Sequence, residues 1–293
     1  VQERRATTGV VAASAVTVGV LYIVFVRTRW GQEVDDLAFE GRRAVSAAAT
    51  RTLDRMLRTI SEQSLFLLGG AIVLAALAQR RLRLAFVVGC CMSGAVLTTE
   101  VLKLHLLERP SFSGVAGSAN NSFPSGHATI GMVLALGIVM VAPSALRRVA
   151  AVAGAVLAAV FGTAVMASGW HRPSDVVGAY AVALAWFAAG HLVLRWLDEH
   201  HPHPRGAATE SDRRPSGRLL AVAALAIAGF LLLALWVAID ADGLRTVPYA
   251  GRYVVASVMV GAVGVAVVLG FALLTGERAR HRRDALAARP APS

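Results

Sequence analysis

Apolar residues run on for about 20 positions at eight places in the chain, and polar residues gather between those runs. A bilayer core asks a helix for ~20 such residues. The pattern therefore predicts eight membrane spans, over 8–26, 61–79, 84–106, 127–146, 149–168, 175–195, 219–239 and 253–275. Segment 31–60 reads differently. Val34, Leu37, Ala38, Val45, Ala48, Leu53, Met56 and Leu57 recur there at near-helical spacing among charges, as in helices that lie on a membrane surface or cap a bundle. The fold class is all-α, a polytopic membrane helix bundle. Its six-span core covers 1–196, with the amphipathic segment 31–60 inside it. An inner polar linker over 197–218, two further spans within 219–275 and a basic inner tail over 276–293 follow. The last two spans read as an appendage.

Composition agrees with the pattern. A chain of 293 residues that is 56% hydrophobic, with a mean hydropathy of +0.60, is too apolar for an ordinary soluble domain. The first apolar run follows Arg4 and Arg5 and leads into "RTRWGQEVDD" without a convincing small-residue cleavage site, so it reads as a retained span. Cys90 and Cys91 are adjacent, a poor geometry for pairing with each other, and read as small buried thiols.

The formal net charge of +11 changes the picture more. Its basic residues cluster between spans rather than with interleaved aromatics, which argues against a nucleic-acid partner. They serve orientation instead. Arg4/Arg5, Arg80/Arg81/Arg83, Arg147/Arg148 and the arginines of 195–218 and 278–289 fall on one side, as the positive-inside rule expects of a multi-pass plasma (inner) membrane protein with both termini cytoplasmic. One segment runs against the rule: 27–60, on the outer side, carries seven arginines, offset by Glu33, Asp35, Asp36, Glu40 and Asp54. Arginine-rich, lysine-poor, alanine-rich usage points to a bacterial source. The linker's His200, His201 and His203 read as a solvated His-rich stretch rather than a metal site.

Three polar clusters then converge at outer span ends: "KLHLLERP" from Lys103, "PSGH" from Pro124 and "HRPSD" from His171. Lys103 is the only lysine among 29 basic residues. It is either a snorkelling interface residue or, with Arg109, one of two cations facing an anion. Ser125 is placed to cap a helix that starts near Gly126, which would present backbone N–H groups to an oxyanion, and His127 stands in the first turn. His171 and Asp175 are four apart, beside the helix-start residues Pro173 and Ser174. A carboxylate on one imidazole nitrogen leaves the other nucleophilic. The pair also suits a metal ligand with its outer acid, but no further ligands complete a sphere, and two nearby cations would repel a metal. Neither a metal nor a cofactor is expected.

Lys/Arg-Pro, then Pro-Ser-Gly-His, then His-x-x-x-Asp, in that order and at outer span ends, resembles the type 2 phosphatidic acid phosphatase superfamily of integral-membrane lipid phosphatases. The likeness covers roughly residues 8–196. It implies His171 as the nucleophile that forms a phosphohistidine, Asp175 as its orienter and His127 as the general acid. It also implies Lys103, Arg109, Ser125 and the Gly126 N–H as phosphate ligands, without a metal. Two departures stand out. Five residues rather than the family's usual six separate Lys103 from Arg109, a shift of about 100° on a helix. The family's third-motif Ser-Arg is Ala164–Val165 here, and Arg172 is expected to supply the missing cation.

The expected activity is dephosphorylation of a lipid phosphate at the outer face of the membrane. Candidate substrates are polyprenyl (pyro)phosphates, phosphatidic acid and phosphatidylglycerol phosphate. A lipid phosphotransferase and a non-catalytic lipid-phosphate binder or transporter are the alternatives. Expected partners are the lipid substrate and membrane lipids, and spans seven and eight offer a surface for homo- or hetero-oligomer contacts.

Overall fold

Residues 2–59, 62–112, 121–201 and 246–287 are described by the computed structural model. Predicted span 219–239 and most of the linker, including His203, lie outside them. Among the described residues there are helices and no strands. Helix α1 (Gln2–Leu21) continues through a wide π-turn at Tyr22–Val26. Next come α2 (Arg29–Glu40), a 3₁₀ turn (Gly41–Ala44) and α3 (Ala47–Thr59). The bundle proper goes on with α4 (Glu62–Ala78), α5 (Leu82–Val101), a π-turn (Leu102–Leu106) and α6 (Gly126–Val141). It ends with α7 (Arg147–Ala167), α8 (Pro173–His200) and α9 (Tyr249–Ala287).

Among the described residues, five helices are long and apolar enough to cross a membrane: Arg4–Val26, Leu82–Leu106, Arg147–Ala167, Pro173–His200 and Tyr249–Thr275. Their burial differs in a way that locates the centre of the bundle. The apolar window of α8 is 67% buried and that of α1 only 22%. Helix α8 packs against α1, α5, α6 and α9 and is the central strut. Leu67, Leu82 and Phe86 stay exposed on the perimeter, as lipid-facing side chains do.

Close approach around α8 depends on small residues. The Tyr180 hydroxyl donates to the carbonyl of Ala158 at 2.5 Å and lies where a side chain on Gly162 would begin, a Cβ there falling 2.1 Å from it. Only glycine lets α7 and α8 meet at this point.

Segment 31–60 forms two helices rather than one amphipathic run. The break follows Gly41, whose missing side chain lets the chain back onto Tyr253 of α9, and Val45 is extended. This cap is tied into the bundle. The Gln32 side-chain amide donates to the carbonyls of Val26 and Pro110 at 2.8 and 2.9 Å. The Tyr22 hydroxyl donates to the carbonyl of Glu108 at 3.0 Å. On its far side, Glu40 pairs with Arg252 at 3.8 Å and the Arg43 guanidinium lies over the Tyr249 ring. Helix α9 thus packs along α7 and reaches the cap.

Helix bounds differ from the sequence reading in several places, α1 already starting at Gln2 rather than at 8. Helix α6 stops at Val141 rather than 146, because Ala142 turns extended ahead of Pro143. Helix α8 continues past 195 to His200, there being no breaker before Pro202. Helix α9 runs beyond its apolar portion to Ala287.

Substituting Gly162→Ala should push the Tyr180 hydroxyl off its carbonyl and overpack the α7–α8 contact. A loss of about 1–3 kcal/mol is expected, read as a lowered unfolding temperature of the detergent-solubilised protein.

Candidate active site

The first turn of α8 organises the site. Arg172 is extended at the N-cap, and Pro173 occupies N1, where its missing N–H costs nothing. The Arg172 backbone N–H donates to Asp175 Oδ2 at 3.0 Å, and the Ser122 hydroxyl donates to the same oxygen at 2.7 Å. Asp175 is fully buried, with His171 Nδ1 at 3.4 Å, an ion-pair distance rather than a made hydrogen bond. The Ser125 backbone N–H donates to the carbonyl of Asp175 at 3.0 Å, so the "PSGH" turn is fastened directly to the start of α8.

Helix α6 starts at Gly126, as the sequence predicts. Ser125 is its N-cap, the hydroxyl accepting from the Ala128 N–H at 3.2 Å. Behind it the Thr129 hydroxyl donates to the carbonyl of Ser125 and meets Thr99 of α5 at 2.9 Å. First-turn N–H groups of a helix have no intrahelical acceptors, so an anion at Gly126 would meet them together with the positive end of the dipole. The ring of His127 packs edge-on against Trp170 at 4.8 Å and lies within electrostatic reach of His171 and Lys103.

Lys103 reaches this turn despite the shortened spacing. Its π-turn carries Nζ to 3.8 Å from where a Gly126 Cβ would stand, and its carbonyl accepts from Asn121. Its ammonium is already paired with Glu100 at 2.7 Å. Arg109 is the opposite case. Only 7% of it is exposed, and Nε, Nη1 and Nη2 are all buried without a hydrogen-bond partner among the described residues. Burial, followed by the neighbouring charge of Arg172, holds its pKa below the usual arginine value. Five donors with nothing to donate to are expensive unless an anion is taken up.

Arg172 is buried beside His171, but its charge is met: Nε is hydrogen-bonded to Asp36 Oδ1, and Nη1 lies 3.5 Å from the Ser122 hydroxyl. At the position of the family's arginine, Val165 is fully buried in the core, and its carbonyl accepts from Trp170 and His171 at 3.1 and 3.4 Å. The side chain there fills the core while the backbone shapes the His171 turn.

The structure therefore brings His127, His171, Asp175, Lys103, Arg109, Ser125, Gly126 and Arg172 to one end of the bundle. It adds residues that spacing alone passes over: Ser122, Trp170, Glu100 and, from the cap, Asp35, Asp36 and Arg42. Glu100 carries a signal, being a carboxylate within a span and three residues from the lysine. Asp35 and Asp36 carry less, since they read as charges offsetting arginines. Arg42 lies against Gly169, whose φ of +74° and absent side chain admit it; a Cβ there would fall 2.8 Å from Arg42 Nε.

Asp35 accepts from the Ser174 N–H at 3.1 Å and from the Ser174 hydroxyl at 2.6 Å, closing the first turn of α8 from outside. Burial, then the charge of Asp175, push its carboxyl up from 3.8 to about 7. A raised folded pKa means the fold binds the proton more tightly than the unfolded chain does. The resulting stabilisation is full below the unfolded value and is lost as pH rises through about 7. Asp35→Asn removes this dependence, so its unfolding temperature minus that of the parent should grow between pH 5 and pH 8, as a thermal melt at each pH would read.

Comparison with curated proteins and with solved structures finds no match. A family model, described as PAP2 superfamily, matches residues 10–202. That stretch holds every residue of the site and well over half of the chain, and the chain belongs to the PAP2 superfamily.

Proposed function

We propose that the protein is a metal-independent phosphatase of lipid phosphates or polyprenyl (pyro)phosphates, acting at the outer face of a bacterial plasma membrane through a phosphohistidine. The single observation that carries this reading is the buried, unpartnered guanidinium of Arg109 beside the His171–Asp175 pair. Family membership supports the coarser statement that the chain is a membrane phosphatase.

The steps use groups already placed. Asp175 keeps the proton of His171 on Nδ1, so the Nε2 lone pair is free to attack phosphorus. As the N–P bond forms, the bond from phosphorus to the lipid oxygen breaks, and His127 gives that oxygen a proton to release the lipid alcohol. His127, now neutral, takes a proton from water. The hydroxide attacks phosphorus, the N–P bond breaks, phosphate leaves and His171 is restored. Arg109, Lys103 and the N–H groups at Gly126 stabilise the charge that builds on the phosphoryl oxygens. A site at one end of the bundle suits a substrate whose phosphate lies in the headgroup layer while its tail stays in lipid.

Purified protein incubated with a panel of lipid phosphates and a chelator should release phosphate, and His171→Ala should abolish that release. Activity lost to the chelator alone would overturn the metal-independent reading. Label appearing in a second alcohol instead of free phosphate would make the protein a phosphotransferase, and binding without turnover would make it a binder. Arg109→Met should raise the unfolding temperature by removing an unpaired buried charge, while lowering phosphate release about 10²-fold or more.

A further inference from the structure

Around the start of α8 the charges divide unevenly between two arginines. Both Arg109 and Arg172 are more than nine-tenths buried, yet only Arg172 has a carboxylate bound to it, supplied by Asp36 from the cap 136 residues earlier in the chain. The link matters because of what Arg172 carries on its backbone. Its N–H is one of two donors on Asp175 Oδ2, and His171 is its immediate neighbour. Holding the side chain of Arg172 therefore holds the peptide that sets the distance from Asp175 to His171. The Arg172 guanidinium also lies 5.4 Å from the centroid of the Phe39 ring, so α2 fixes it both by charge and by stacking. Asp35, one residue earlier, pegs the next residue, Ser174, through two hydrogen bonds.

We propose that Asp36 is a positioning residue for the reaction: it neutralises and pins Arg172, so that the Arg172 N–H stays on Asp175 and the buried cation left open to substrate phosphate is Arg109. The assignment rests on the phosphatase reading for its effect on turnover, but not for its effect on phosphate binding. With Asp36 in place, phosphate is drawn toward Arg109 and the "PSGH" turn. Without it, Arg172 becomes a second unmet cation on the Asp175 side of the nucleophile. Phosphate is then held more tightly and in the wrong place, while the His171–Asp175 geometry loosens. Ground-state binding rises as transition-state binding falls, which lowers turnover.

That opposition separates the proposal from a purely structural role, in which both quantities would worsen together. The test uses full-length protein in detergent, with inorganic phosphate as the binding probe and a short-chain phosphatidic acid as substrate. Asp36→Asn should tighten phosphate binding about three-fold or more, through the added uncompensated charge. The same change should lower kcat about ten-fold or more, and Asp36→Glu should return both toward the parent.

A charge-balanced second variant covers a failure of Asp36→Asn to fold. In Asp36→Asn with Arg172→Gln the net charge is kept, and phosphate affinity should stay within about two-fold of the parent, because Arg172 is not the phosphate ligand. Unchanged kinetics in Asp36→Asn, weaker phosphate binding in it, a ten-fold loss of phosphate affinity in the double variant, or no phosphate binding to the parent would each overturn the proposal. A parent that binds phosphate without turning over lipid would instead sink the hydrolase reading, leaving the binding arms to decide the role of Asp36.

Discussion

Burying charge at the first turn of α8 is the constraint that the rest of the site obeys. Asp35, Asp36, Arg109, Arg172 and Asp175 are each at most 9% exposed, so none can rely on water for solvation and each must be met by a neighbour. Three acids face two bases, and the imbalance is relieved at Asp35, where burial and then the charge of Asp175 hold the proton up to about 7. Asp36 takes one arginine. Asp175 is kept as a hydrogen-bond acceptor by Ser122 and the Arg172 N–H. What remains is Arg109, a buried guanidinium without a hydrogen-bond partner among the described residues, and the proposed phosphate site is built on it.

The bundle was largely legible in the sequence because lipid enforces length and apolarity so strictly. Spans over 8–26, 84–106, 149–168, 175–195 and 253–275 coincide with the five long apolar helices within a few residues. Where a boundary moved, a local breaker moved it, as at Ala142–Pro143, or its absence did, as at His200. The division of α2 from α3 was not legible, since it follows from Gly41 meeting a helix more than two hundred residues away. Periodicity carries no information about such a contact.

The same distinction holds within the site. His127, His171, Asp175, Ser125 and Gly126 announced themselves because their roles are local: a cap, a first turn, an i,i+4 pair. Arg109 stood out through the proline after it. That Arg172 would be neutralised from the cap could not be read, because an Asp-Asp pair amid arginines looks like ordinary surface charge until its burial is known. The five-residue spacing after Lys103 looked like a defect and is accommodated by a π-turn, a local widening that sequence spacing does not report.

Helix α9 lies beyond the stretch matched by the family, yet it forms the far wall of the cap through Tyr253 against Gly41 and Arg252 with Glu40. Chains are synthesised from the N-terminus, and their parts fold as they emerge. His127 and His171 therefore emerge well before the helix that backs the cap has left the ribosome. Maturation of the cap has to wait for α9, so a chain caught between these two moments carries all the site's chemical groups without the finished wall behind them.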